Sequence, residues 1–294
     1  MVVRGKTEIQ SVYESVKNTL RIEIEEADFE ALELVHMVCG ASRQDLMLGK
    51  DVPVSTEQRR QLEELVRRRM EHYPLQYLLG EWDFFGRTFA VGEGVLIPRA
   101  DTEPLAEACL ELLKGMESPR ILDLCTGTGC IGITLALERP DAEVWAVEKS
   151  PEAYRYFQRN NETYGGRVWG VLGDALDPGM VSGSFDLIVS NPPYLTREEM
   201  ENLQPEVACE PAMALYGEED GLFFYREFSK KYAPRLKNGG VLAFEIGQGE
   251  ENAVRSLLTE SGLISICQKR DLHGIIRVIT ARNKLSRRED AAEV

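Results

Sequence analysis

From residue 120 onward, short apolar runs of strand length alternate with stretches of helical periodicity, and few architectures accept that pattern. The candidate strands are Arg120–Leu124, Glu143–Glu148, Arg167–Leu172, Phe185–Ser190, Val241–Ile246, Ile264–Lys269 and Gly274–Thr280. Helical stretches separate the first five and precede the sixth. Successive strands joined through helices run parallel, so the expectation is an α/β fold. It has a seven-stranded, mainly parallel sheet with helices on both faces. The link between the last two strands is too short for a crossover, so one of them runs antiparallel to the other.

The first 80 residues show no strand pattern. Phe29, Leu32, Leu34, Val35 and Val38 recur near helical spacing until Cys39-Gly40 ends the run. Ser55 or Thr56 can cap a further helix, in which Leu62, Leu65, Val66 and Met70 share a face. Residues 1–80 are therefore expected to form a small all-α bundle. Residues 81–98 contain Trp82-Asp83-Phe84-Phe85-Gly86-Arg87-Thr88-Phe89, which reads as a β-hairpin linker turning at the glycine. Asp101 or Thr102 then caps a helix with Pro104 in its first turn. The α/β domain is expected over 99–282, and the charged residues 283–294 as a disordered tail.

The chain has 294 residues and no apolar run approaching the roughly 20 residues of a membrane span. The N-terminus does not resemble a signal peptide, so the expected compartment is the cytoplasm. Cys39, Cys109, Cys125, Cys130, Cys209 and Cys267 form no C-x-x-C pair, and His36, His72 and His273 are scattered, so free thiols and no metal are expected. The formal net charge of −15 argues against a protein built to cover duplex nucleic acid, and leans toward a protein partner. Arg67-Arg68-Arg69, the densest basic run, is read as a solvated helix face.

Asp123-Leu124-Cys125-Thr126-Gly127-Thr128-Gly129-Cys130-Ile131-Gly132 follows the first candidate strand and opens a helix. Gly127 and Gly129 let the backbone turn tightly and approach a ligand. Glu148 ends the next strand, where an acid can accept from both ribose hydroxyls of an adenosine. The G-x-G-x-x-G spacing also fits a dinucleotide such as NAD. Two residues favour S-adenosylmethionine. Asp123 at the strand end can meet an ammonium group, directly or through water. Asp174, before Ala175, can accept from an adenine amino group.

Asn191-Pro192-Pro193-Tyr194 follows the fourth candidate strand, so it belongs at the same end of the sheet. An amide or aromatic amino nitrogen is a poor nucleophile because its lone pair is delocalised. A site acting on it must hold the NH₂ with acceptors and orient it. The Asn191 side-chain oxygen and the Pro192 carbonyl can take its two hydrogens. Proline at 192 and 193 stiffens the loop and removes competing donors. Tyr194 offers an aromatic wall.

With these motifs the chain resembles the HemK-type protein-glutamine methyltransferases. The resemblance spans about residues 7–281 and includes Pro74-Leu75-Gln76-Tyr77, Ile97-Pro98-Arg99-Ala100-Asp101-Thr102-Glu103, Glu210-Pro211, Asp220-Gly221-Leu222 and Glu245-Ile246-Gly247. It implies a Rossmann-like methyltransferase fold and methylation of the Gly-Gly-Gln glutamine of class I peptide chain release factors. It would place S-adenosylmethionine, converted to S-adenosylhomocysteine, against Cys125, Thr126, Gly127, Thr128, Gly129, Glu148, Asp174, Ala175 and Asn191, beside the Asp123 already read as a cofactor-binding residue. The glutamine would meet Asn191, Pro192, Pro193 and Tyr194, with Arg99 either bordering that pocket or lying on a domain-joining turn. Asn191, Pro192 and Tyr194 would be catalytic. Glu245 either faces the crevice or caps local structure. The chain departs from the family at Glu148, usually Asp, at Cys125, often Gly, and at Ala175, an aromatic in some members. The alternatives are an amino-methyltransferase acting on adenine or guanine in DNA or RNA, and a non-catalytic S-adenosylmethionine-binding scaffold.

Overall fold

The computed structural model describes residues 6–284; of the tail expected over 283–294, residues 285–294 lie outside them, while Asn283 bonds to the Gly240 and Leu236 carbonyls at 2.8 and 3.0 Å. They divide into two compact units. One comprises the chain up to Glu81 together with Gln204–Cys209, and the other comprises Trp82–Leu203 and the chain from Glu210.

The smaller unit is helical: α1 (Glu8–Leu20), α2 (Ala27–Cys39), α3 (Arg43–Leu48), α4 (Thr56–Met70) and α5 (Leu75–Leu79). Ile9, Val12, Val16 and Leu20 of α1 share its core with Ala31, Leu34 and Val35 of α2 and Leu62 and Val66 of α4. Gly40 ends α2 at φ 69°, and Ser55 caps α4 by accepting the Gln58 N–H at 3.1 Å, both as the sequence suggests. The Arg67–Arg69 run is not uniformly solvated. Arg67 pairs with Glu64 and Glu71 in solvent, and Arg68 lies over the Tyr73 ring. Arg69, however, is buried, donating from Nε to Glu30 at 2.6 Å and from Nη1 to Glu206 at 3.0 Å. The expectation fails there because Glu30, 39 positions earlier, supplies a buried counter-charge that local patterning does not reveal.

The larger unit opens with the hairpin β1 (Glu81–Phe84) and β2 (Arg87–Ala90), in which Phe85 and Gly86 turn at φ 53° and 68°. The hairpin is more than a linker. Phe84 and Phe89 are buried in this unit's core, and Ala90 donates its N–H to Asn160 at 2.7 Å. There follow α6 (Glu103–Leu112), β3 (Arg120–Leu124), α7 (Cys130–Glu138), β4 (Glu143–Glu148), α8 (Pro151–Thr163), β5 (Val168–Leu172) and β6 (Phe185–Ser190). After these come α9 (Arg197–Glu201), α10 (Ala212–Leu215), α11 (Phe223–Tyr232), β7 (Leu236–Glu245), α12 (Glu251–Glu260), β8 (Ile264–Arg270) and β9 (Ile276–Arg282).

The seven strands from β3 onward form one sheet in the order β5-β4-β3-β6-β7-β9-β8. Strands β3 to β7 pair in parallel, and β9 runs antiparallel to both β7 and β8. All seven expected strands are present. The β7 strand begins earlier than expected, at Leu236, with its register broken between Phe185 and Leu187 of β6. Alternate residues point to opposite faces. Ile121, Val189 and Ala243 pack against α6, α7 and the hairpin, while Leu122, Ile188 and Phe244 pack against α11 and α12. No described helix is long and apolar enough to cross a membrane.

Candidate active site

The chain order of the central strands reverses at β3, which has β4 on one side and β6 on the other. Loops leaving the C-terminal ends of such strands splay apart and leave a crevice. A cleft of about 270 Å³ occupies that position. Its walls come from residues 94–99, the loop 125–128, Glu148, Lys149, Asp174–Leu176, Asn191, Pro193 and, further on, Pro211, Met213, Ala214, Glu218, Phe223 and Phe224.

Gly127 and Gly129 have φ of 56° and 85°, the left-handed region open to glycine. A Cβ on Gly129 would sit 2.7 Å from both Ile133 and Phe157, so that glycine also permits close packing beneath the loop. Cys125 holds φ 58° without being glycine, and burial pushes its thiol well up. Thr126 and Thr128 are buried at the cleft.

Glu148 accepts the Gly127 N–H at 2.9 Å on one carboxyl oxygen and the Ser150 N–H at 2.8 Å on the other. Burial raises its carboxyl, against the pull of those two donors. The acid that ends β4 thus ties the glycine loop to the next helix and still faces the cleft. Asp174 accepts the Leu176 N–H at 2.9 Å and pairs with Lys149 at 2.9 Å. Burial pulls its carboxyl up, but Lys149 and Leu176 outweigh that and the net shift is downward. Ala175 is buried on the same wall.

Asp123 lies elsewhere. It is fully buried and absent from the cleft wall. Its Oδ2 accepts from Thr126 Oγ1 at 2.5 Å and from the Gly132 N–H at 3.0 Å, while Oδ1 has no partner. Burial pushes its carboxyl up to about 7. Asp123 braces the loop from behind, and direct contact with a ligand's ammonium is not open to it. The side chain points into the packing under the loop, where Gly132 makes room for it: a Cβ there would be 2.9 Å from Oδ2.

Asn191 reaches the cleft, and its Nδ2 donates to Thr102 Oγ1 at 3.2 Å. The amide N–H groups being turned to Thr102, Oδ1 is left as an acceptor. Pro192 and Pro193 are buried, and Pro193 lines the cleft. Tyr194 does not form the expected wall. Its ring packs with the core under α11, and burial pushes its phenol up. Behind it the 217–221 loop lies close against the Tyr194 backbone: a Cβ on Gly217 would lie 2.7 Å from Tyr194 Cα, and one on Gly221 would lie 2.5 Å from the Tyr194 carbonyl oxygen. The apolar wall is built instead by Val95, Ile97, Met213, Phe223 and Phe224. Only the Phe223-Phe224 pair, at the start of an amphipathic helix, hinted at this in the sequence.

Arg99 lines the cleft but is held by Glu210, which also accepts the Ile97 N–H at 2.9 Å. Burial raises the Glu210 carboxyl, with Arg99 opposing. Glu245 ends β7, 2% exposed, beside Thr102 and Asn191 and off the cleft wall. Among the described residues, no group of three or more His, Cys, Asp or Glu side chains is placed to hold a metal ion.

A doubly wound sheet with a glycine loop, an acid at the second strand end and Asn-Pro-Pro-Tyr at the fourth defines a methyltransferase, and the comparisons agree. Residues 101–242 match the family model described as "Methyltransferase small domain", and residues 12–80 match "PrmC N-terminal domain". The chain is 39% identical to the release factor glutamine methyltransferase of Geobacter sulfurreducens over 88% of this chain and 90% of the relative. It is also 39% identical to the one from Bordetella pertussis, over 85% and 92%. A methyltransferase from Pyrococcus furiosus shares the fold, with a TM-score of 0.51 at 19% identity over 69% of this chain and 91% of that one. This chain belongs to the release factor glutamine methyltransferase family.

Proposed function

We propose that the chain transfers the methyl group of S-adenosylmethionine to the side-chain amide nitrogen of the Gly-Gly-Gln glutamine in a class I peptide chain release factor. The methyl–sulfur bond breaks as the methyl–nitrogen bond forms, giving S-adenosylhomocysteine, and the nitrogen then releases one proton to solvent to leave the neutral methylamide. The observation that carries the reading is the Asn191 amide, whose nitrogen is engaged by Thr102 so that an acceptor oxygen is left for the cleft.

The cleft's chemistry fits the methyl donor. Glu148, Asp174 and Glu218 line it with Lys149 and Arg99, and Arg99 is already paired with Glu210, a balance that suits a cation, while Val95, Ala175 and Leu176 give an apolar surface for a flat base. Glu148 would accept from the ribose hydroxyls, Asp174 from the adenine amino group, and residues 125–128 would follow the chain that carries the sulfur. When bound, the donor supplies a methyl carbon activated by a sulfonium.

The remaining work falls to this chain's own groups. Asn191 Oδ1 and the Pro192 carbonyl oxygen accept the two hydrogens of the substrate NH₂ and fix its plane. Prolines 192 and 193 offer no N–H, so the loop presents acceptors alone. Two acceptors on one nitrogen favour localisation of its lone pair and of the positive charge that develops during transfer. The apolar wall keeps water from the reacting nitrogen. Glu210 holds Arg99 and Ile97, and through them the opposite rim.

The test is mass spectrometry of the Gly-Gly-Gln peptide after a release factor is incubated with the enzyme and S-adenosylmethionine. One added methyl on the glutamine is expected. The same grip suits the amino group of adenine or guanine, so labelled methyl appearing in nucleic acid and not in the release factor would overturn the reading. Binding of S-adenosylmethionine with no acceptor methylated would mark a scaffold instead.

A further inference from the structure

We propose that Glu218 is a specificity-determining residue on the acceptor side of the cleft, its carboxylate pairing with a basic side chain that stands within about three residues of the target glutamine, about 10 Å of extended chain. The inference rests on the reading of Asn191 as the group that holds the substrate amide.

Residues 217–221 read Gly-Glu-Glu-Asp-Gly, three consecutive carboxylates between two glycines. Two of the three are already matched. Glu219 pairs with Arg197, and Asp220 pairs with Arg226 at 2.7 Å while accepting the Leu222 N–H at 3.1 Å. Glu218 is exposed and has no ion pair and no side-chain hydrogen bond among the described residues. It is also the one carboxylate of the three in the cleft wall. The two cations on that wall are taken: Lys149 pairs with Asp174 at 2.9 Å, and Arg99 pairs with Glu210. The charge that Glu218 brings to the cleft is therefore unanswered by the chain's own side chains.

The backbone beside Glu218 is tied to the acceptor loop. Leu195 directly follows Asn191-Pro192-Pro193-Tyr194. It donates its N–H to the Leu215 carbonyl at 2.8 Å, accepts the Gly217 N–H at 2.8 Å, and forms a parallel bridge with Tyr216. The Gly221 N–H returns to the Glu218 carbonyl at 3.3 Å and closes the turn. Glu218 thus stands one residue from the contact of Gly217 with Tyr194, at a fixed place relative to the group that holds the amide. Its φ is 67°, a conformation that glycine adopts freely and glutamate does not, so the backbone gives no reason for glutamate here.

The surroundings suit a basic side chain. Met213, 54% exposed, and Phe223 and Phe224 lie on the same wall, an apolar surface for the methylene stem of lysine or arginine while its charge meets the carboxylate. The methyl donor, in the same reading, lies along residues 125–128, Glu148 and Asp174 on other loops, which leaves Glu218 to the acceptor. The chain's net charge of −15 attracts a basic partner from a distance, and a single fixed carboxylate beside the acceptor loop makes that attraction selective. An acidic residue near the glutamine would face an unpaired like charge and be rejected.

The experiment uses the full chain and a release factor in which each of the three positions on either side of the Gly-Gly-Gln motif carries in turn lysine, methionine or glutamate. Methylation rates are read by mass spectrometry. At one or more positions lysine should lower KM up to about fivefold relative to methionine, the scale of a solvent-accessible ion pair, and glutamate should raise it. The effect should fall on KM, as for binding shared by ground state and transition state. It should shrink between about 0.05 M and about 0.5 M salt. Glu218→Gln should erase the preference and Glu218→Lys should turn it toward glutamate, with donor affinity by calorimetry within about twofold of wild type. Glu218→Gly suits the backbone better than glutamate, so it should erase the preference too and serves where Glu218→Lys does not fold. Equal KM for lysine, methionine and glutamate at every position would overturn the proposal, as would a preference that Glu218→Gln and Glu218→Gly leave intact. A tenfold or greater loss of donor affinity in Glu218→Gln would assign the carboxylate to the donor's ammonium and overturn it as well. If no release factor is methylated, the reading of Asn191 fails and this one with it; methylation without discrimination refutes the role of Glu218 alone.

Discussion

Glu210 Oε2 accepts the Ile97 backbone N–H at 2.9 Å across 113 positions of sequence, and its other oxygen pairs with Arg99. One buried carboxylate therefore anchors two residues of the cleft rim. Glu210→Ala should lower stability by about 2–3 kcal/mol. That is less than the 3–5 kcal/mol typical of a broken buried pair, because Arg99 keeps contact with solvent. Urea denaturation checks the first part. A weaker affinity for the methyl donor or glutamine peptide, with Arg99 released, checks the second.

Asn191→Ala removes an acceptor that serves the reacting nitrogen. Turnover should fall on the order of 100-fold or more, the scale of losing one preorganised polar group at a reacting centre. Donor affinity, read by calorimetry, should stay within about threefold. Glu148→Gln should do the reverse. It keeps one acceptor oxygen for the Gly127 or Ser150 N–H but loses the charge, so donor affinity should drop about tenfold while kcat at saturating donor changes little.

Asp123 gives a pH dependence of stability with a definite sign. Burial raises its carboxyl from the ordinary 3.8 to about 7, so the folded chain holds that proton more tightly than the unfolded one. Between those values folding takes up a proton, and stability falls as pH rises through the window, at up to roughly 1.4 kcal/mol per pH unit per such group. Glu245 and Glu250, both raised to about 7 by burial, add to the same trend. Melting temperature should therefore be lower at about pH 8 than at about pH 6, and Asp123→Asn should flatten that slope. An unchanged slope in the variant would remove Asp123 from the account.

The basic run in α4 predicts a sharp contrast between neighbours. Arg69→Ala leaves Glu30 buried without its partner and should cost the helical unit about 3–5 kcal/mol. Arg67→Ala, on the solvent side, should change stability by about 0.5 kcal/mol or less. Chemical denaturation of the two variants side by side decides it.

The strands, the glycine loop and the Asn-Pro-Pro-Tyr turn were legible because each is written in contiguous residues. Apolar runs mark β3 to β6, positive-φ glycines mark the loop, and a turn motif at a strand end marks the acceptor. What escaped was decided by partners far along the chain. Nothing near Arg69 announces Glu30, and nothing near Arg99 announces Glu210. Glu245 ends its strand as Glu148 does, and Asp123 stands one residue short of the end of β3, yet only Glu148 faces the cleft. A strand-end acid is placed by its position, but its side-chain direction depends on what packs around it. The close packing on the Tyr194 backbone likewise depends on two glycines more than 20 positions later.

Those two glycines bear on how freely the family can vary here. At 217 and 221 a single added carbon would drive into the backbone of Tyr194, within 2.7 Å of Cα and 2.5 Å of its carbonyl oxygen. Neither position touches the cleft wall, yet neither has room for even alanine. A saturation library selected for methylation should thus be blank at both sites, as sparse as at Asn191 itself, purely because the acceptor turn is clamped from behind.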